Sequence, residues 1–230
     1  MSLLFIIMLG TLGISLIAAA RVKSIYHRYS QVPAASGASG AEVAAAILDR
    51  AGIHDVEIVS HNELLGDHYD PINKRLVLSD QNYHGRSLAA LGVSAHECGH
   101  AIQHKLAYAP LTWRMGSVGA VNFVHPITMW LPLLGFVGLV PGRTVMLLMA
   151  VAWGMIMLFN LITLPVEFDA SNRAKKILAG MGFIGTEEEM RGVRKTLDAA
   201  GWTYVAAFIT SLAYMLWHLL PLLLGGRRDD

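Results

Sequence analysis

Residues 87–106 read SLAALGVSAHECGHAIQHKL. This run reads as one long helix from about Ser87 to Leu106, and Pro110 stops any continuation. Inside it His96, Glu97 and His100 fit the pattern His-Glu-x-x-His. Residues four apart on a helix lie about 40° apart around its axis, so the two imidazoles can converge on one ion. Glu97 sits beside that line. A carboxylate there can take a proton from water on a zinc ion, because the ion lowers the pKa of that water to about 7. The spacing therefore points to zinc-dependent hydrolysis, with His96 and His100 as ligands and Glu97 as base.

Other residues of the helix fit a metal less well. Structural zinc sites close four positions with cysteine and histidine, but the single cysteine, Cys98, projects about 200° from His96. His104 continues the row by one turn. Turns of a straight helix are about 5.4 Å apart, too far for three successive residues to share an ion at bonds of about 2.0 Å, so His104 reads as satisfied or solvent-facing. A hydrolytic site still needs a third protein ligand. The run Leu164, Pro165, Val166, Glu167, Phe168, Asp169 offers two acids, and spacing alone leaves both Glu167 and Asp169 open.

The rest of the chain places this helix in a membrane protein. Of 230 residues 54% are hydrophobic and 15% charged, too apolar for an ordinary soluble domain. A formal net charge of +1 offers no concentrated basic face, so no nucleic acid is expected as a partner. One cysteine excludes an intramolecular disulfide framework. Stretches at about 2–20, 117–140, 144–164 and 204–224 each have the roughly 20 apolar residues that cross a bilayer. The first lacks a basic run before its apolar core, with Arg21, Lys23 and Arg28 following it, and reads as an uncleaved anchor. His125 with Pro126 and His218 with Pro221 fall inside spans and read as packing histidines beside kinks. Lys and Arg number nine in 21–116 and six in 165–203, against Arg143, Arg227 and Arg228 on the other side. That split of fifteen to three predicts cytoplasmic placement of both polar segments. Two spans separate His100 from Glu167, so both fall on one side.

Within the polar segments, QVPAASGASG at 31–40 reads as a loop before a helix over 41–50 that Gly52 ends. The runs VEIV at 56–59 and RLVLS at 75–79 read as strands of a small sheet, separated by DHYDP at 67–71, whose Asp70 and Pro71 suit a turn. The strand Arg75–Ser79 is expected to form a cleft edge that takes an extended substrate by strand addition. Helices are also expected over 166–179, closed by Gly180, and from a Thr186/Glu189 capping box to near Gly201. The fold class is thus α+β, one membrane domain over 1–230 in which four transmembrane helices carry a small cytoplasmic catalytic unit.

At this point HECGHAIQH at 96–104, DHYDP at 67–71, YAP at 108–110 and PVEFDASNRA at 165–174 together resemble the YugP-type membrane zinc metallopeptidases. The resemblance covers nearly the whole chain, including RVKSIYHRYS at 21–30 after the anchor. It implies a zincin-like, gluzincin-type unit with zinc on His96, His100 and Glu167, Glu97 as catalytic base, and polypeptide as substrate beside membrane lipid. More distantly the pattern is similar to the HtpX-type and CAAX prenyl endopeptidases, in which an aspartate follows the glutamate ligand by four residues. Ser171 stands there in this chain, so that aspartate's role is not carried over. Tyr69 and Arg173 are candidates for stabilising the oxyanion, since both side chains donate hydrogen bonds. A site-2-type intramembrane protease is a poor match, because Arg86 and Lys105 bracket the motif too closely for a span and no later span holds an aspartate. A non-enzymatic membrane scaffold with a zinc site is the alternative, and Glu97 argues against it, since a structural site has no use for a free carboxylate beside it.

Overall fold

The computed structural model describes residues 3–62 and 66–224. Ser2, taken as the start of the first span, and the tail charges Arg227 and Arg228 lie outside them. The elements in order are α1 (Leu3–Ser30), α2 (Gly40–Arg50), β1 (Glu57–His61), β2 (His68–Asp70), β3 (Arg75–Ser79), α3 (Asp80–Tyr83), α4 (Leu88–Lys105), α5 (Ala109–Phe136), α6 (Gly142–Gly180) and α7 (Glu187–Leu224). Four of these helices, α1, α5, α6 and α7, are long and apolar enough to cross a membrane. The fold is mostly helical, with a small three-stranded sheet.

The described residues form two compact units. One takes the chain up to Ile17, Trp113–Leu164 and the chain from Thr203. In it Val121 and Val124 of α5 pack with Ala152 and Ile156 of α6. Asn160 donates to the Ala207 carbonyl and to Ser211 Oγ, and His218 Nδ1 donates to the Tyr214 carbonyl at 2.7 Å. That bond satisfies one ring nitrogen of a histidine placed among apolar residues.

The other unit takes Ala18–Thr112 and Pro165–Trp202 and holds the motif helix. Its core joins Val43 and Ile47 of α2, Leu76 and Leu78 of β3, Leu91 of α4, Leu178 of α6 and Val193 of α7. Local chemistry explains the ends of its elements. Ser39 caps α2 in a reciprocal box with Glu42, each side chain bonding the other's backbone N–H. Ser87 caps α4 by accepting from Ala90 N. Asp67 accepts from Ser79 N and Asn82 Nδ2, and Tyr26 Oη donates to Asn82 Oδ1, so the start of α3 is tied to α1 by a polar network.

Several expectations are corrected here. The segment DHYDP holds a strand, β2, before its turn, and the turn falls at Asp70–Lys74, where Asp70 Oδ1 accepts from Ile72 N and Asn73 N. The sheet order is β1-β3-β2, with β1 parallel and β2 antiparallel to β3. The strand Arg75–Ser79 is therefore central and not an edge, and its hydrogen-bonding groups are engaged on both sides over Arg75–Val77. No helix starts afresh after Pro165, because α6 runs through it unbroken. Proline removes its own N–H and crowds the carbonyl four residues back, a disturbance that long apolar helices tolerate when other groups satisfy the freed carbonyl. Gly201 likewise does not stop a helix. It lies inside α7 where a Cβ would come 3.1 Å from Phe168 Cε1, so its small size serves close packing.

Candidate metal centre

The motif helix α4 is buried over most of its surface, with Ala95, Glu97, Cys98, Gly99 and His100 all inside. Gly99 sets how near α6 can come. A Cβ at that position would lie 2.8 Å from the Ala170 carbonyl oxygen and 3.0 Å from its Cα, closer than real contacts allow. Without a side chain there, the two helices approach backbone to backbone, and Glu167 is brought across to the histidines.

His96 Nε2 lies 3.3 Å and His100 Nε2 3.6 Å from Glu167 Oε2. All three ligand atoms fall within 4.8 Å of one another, with Glu167 and His100 buried and His96 nearly so. A tetrahedral ion with bonds of about 2.0–2.1 Å holds its donors roughly 3.3 Å apart, so the spacing suits zinc. Two imidazoles and one carboxylate are also the donor set used for hydrolytic zinc. The other ring nitrogens have partners of their own. His96 Nδ1 is 3.1 Å from Ser171 Oγ, and His100 Nδ1 is 3.0 Å from Gln103 Oε1. Each Nε2 is thereby left to face the shared point.

Glu97 is adjacent and 7% exposed. Burial raises its carboxyl above the ordinary glutamate value, and the neighbouring His96 and His100 oppose this only in part. Burial lowers the proton affinity of His100, but its contacts with Glu167 and Glu97 outweigh this and raise it. Cys98 points elsewhere, its sulfur 3.7 Å from the Ala44 carbonyl, and burial pushes the thiol well up.

The remaining sequence candidates do not join this group. Asp169 accepts from Gln103 Nε2 at 2.8 Å and from Arg173 Nε at 2.5 Å, so of the two acids it is Glu167 that meets the imidazoles. Arg173 is held by that contact. His104 Nδ1 pairs with Tyr69 Oη at 2.9 Å, and both line a cavity of about 600 Å³ beside the end of α4 with Asp55, Lys74 and Lys105. Gln103 and Ser171 were not singled out as partners of the histidines by reading the sequence. Their spacings carried the signal, since Gln103 follows His100 by three residues and Ser171 follows Glu167 by four, both on the facing side of their helices.

Residues 4–223 match a family model described as "Putative neutral zinc metallopeptidase". The chain is also 42% identical over 230 residues, 99% of its own length and 100% of the relative's, to "Putative membrane protease YugP" of Bacillus subtilis (strain 168). No solved structure matches it. Matches that run from one end of the sequence to the other place this chain in the zinc metallopeptidase family, among its YugP-type membrane members.

Proposed function

We propose that the protein is a zinc-dependent membrane endopeptidase that hydrolyses membrane-associated or unfolded polypeptide on the cytoplasmic side. The observation that carries this is the convergence of His96, His100 and Glu167 beside a buried Glu97. His96 and His100 present Nε2 lone pairs and Glu167 one carboxylate oxygen, which together would hold the ion. A bound zinc ion supplies Lewis acidity toward the scissile carbonyl and makes water a nucleophile near neutral pH. Glu97 takes the proton from the attacking water and passes it to the leaving amine. Its raised proton affinity suits this work, because a base acts best when its pKa lies near the operating pH. Tyr69 and Arg173 are the candidate donors to the oxyanion, each steadied by a neighbour, His104 and Asp169. Placing the site toward the cytoplasm rests on the fifteen-to-three split of Lys and Arg.

The test is metal analysis of the purified protein together with cleavage of a generic unfolded substrate, with and without chelator. Stoichiometric zinc and chelator-sensitive cleavage are expected. A protein that binds zinc and cleaves no polypeptide would instead be the scaffold described above.

A further inference from the structure

We infer that Gln103 is a positioning residue that fixes the tautomer and orientation of His100 and locks α4 to the segment of α6 that presents Glu167. The inference rests on the zinc reading above and concerns this chain's own hydrogen bonds. Gln103 is fully buried at 0% exposure, and all of its amide is engaged. Its Nε2 lies 2.8 Å from the Val166 carbonyl oxygen and 2.8 Å from Asp169 Oδ2. A backbone carbonyl can only accept, and an ionised carboxylate can only accept, so the amide nitrogen must be the atom facing them. Its oxygen must then face His100 Nδ1, at 3.0 Å. Because that oxygen only accepts, His100 must carry its proton on Nδ1, which leaves the lone pair on Nε2 toward His96 and Glu167.

The direction of each bond follows from chemistry and not from how the amide happens to be placed. Val166 precedes Glu167 by one residue, so the same side chain that orients one histidine also holds the backbone of the carboxylate. Arg173 continues the chain by donating to the same Asp169 oxygen. Partners of this kind around metal-binding histidines typically change metal affinity 10–100-fold when removed. Replacing Gln103 by an apolar residue of similar length would leave His100 Nδ1–H and the Val166 carbonyl without their partner in a dry setting.

The experiment compares wild type with Gln103→Met. Zinc affinity is read by chelator competition, the cobalt-substituted protein by its visible spectrum, and the metal-free protein by its melting temperature. Gln103→Met should bind zinc about 10–100-fold more weakly and shift the cobalt bands. A second measurement needs no variant. In metal-free wild type at alkaline pH, long-range proton–nitrogen correlation should show His100 protonated on Nδ1. Zinc affinity unchanged in Gln103→Met, or His100 protonated on Nε2, overturns the inference while leaving the zinc reading intact. Wild type that takes up no zinc, or His100→Ala that keeps wild-type affinity, removes the zinc reading and this inference with it.

Discussion

At the scale of single residues, the proposed mechanism separates proton transfer from metal binding. Glu97→Gln keeps the shape of the side chain but cannot accept a proton from water, so it should abolish hydrolysis while metal analysis still finds zinc. Activity near the wild-type level in that variant would remove Glu97 as base. Glu167→Ala should lose zinc and activity together, because two histidines alone make too small a set. Asp169→Ala should keep zinc stoichiometry, since Asp169 bonds Gln103 and Arg173 and lies outside the His96, His100 and Glu167 cluster. Full zinc in Glu167→Ala with none in Asp169→Ala would exchange the two. His96, Glu97 and His100 were legible in the sequence because a helix period needs no tertiary information. The choice of Glu167 over Asp169 came from the resemblance and not from spacing. Two acids about 200° apart on one helix are distinguished only by which face meets α4, and that is decided by contacts far apart in sequence.

Among the elements, those contacts centre on Gly99. Gly99→Ala places a methyl group 2.8 Å from the Ala170 carbonyl, so α4 and α6 must move apart. The expected cost is about 1–3 kcal/mol of stability, with weaker zinc binding as the donors separate, and Gly99→Val should be worse. Thermal unfolding and chelator competition on the same samples read both effects, and an unchanged zinc affinity would show that the close approach does not govern the site. The cap of α2 makes a prediction in pH. Hydrogen bonds from the Ser39 backbone and hydroxyl hold the Glu42 carboxyl below its ordinary value of 4.5. A lowered folded-state value means the charged form stabilises the fold above that ordinary value, and the contribution is lost as pH falls through the folded one. Wild type should therefore melt above Glu42→Gln near neutral pH, and the gap should close on acidification. A gap that stays constant to pH well below 4.5 would contradict this. Element boundaries are legible where local chemistry sets them: the helix expected over 41–50 is found at Gly40–Arg50, although the Ser39/Glu42 box itself was not singled out. The expected Thr186/Glu189 box forms, with Glu189 N donating to Thr186 Oγ1 and Thr186 N to Glu189 Oε2. Pro165 and Gly201 carry ordinary helix-ending signals, yet α6 and α7 pass through both, because packing of long helices overrides local propensity. The strand β2 was missed for a related reason: it is three residues long and directly precedes the turn residues that dominated its reading.

For the whole molecule, sidedness depends on the membrane and not on any contact inside the fold. Four helices long and apolar enough to span are separated by polar stretches of unequal charge. Residues 21–116 and 165–203 together hold fifteen of the eighteen Lys and Arg, and cytoplasmic segments are enriched in these residues because translocating them is unfavourable. The motif and Glu167 lie in those two segments, one in each, with two spans between them. An even number of crossings returns the chain to the side it left, so a single site built from both segments requires α5 and α6 both to cross, or neither. If one of α5 and α6 failed to cross, His100 and Glu167 would be on opposite sides and no ion could be shared. Topology therefore tests the site as well as the orientation. Reporters fused after Asp80 and after Lys195 should both report cytoplasm, while one at the C-terminus should report the far side. A far-side signal from both internal fusions would invert the molecule and leave the metal centre possible. Opposite signals from the two would break the site itself.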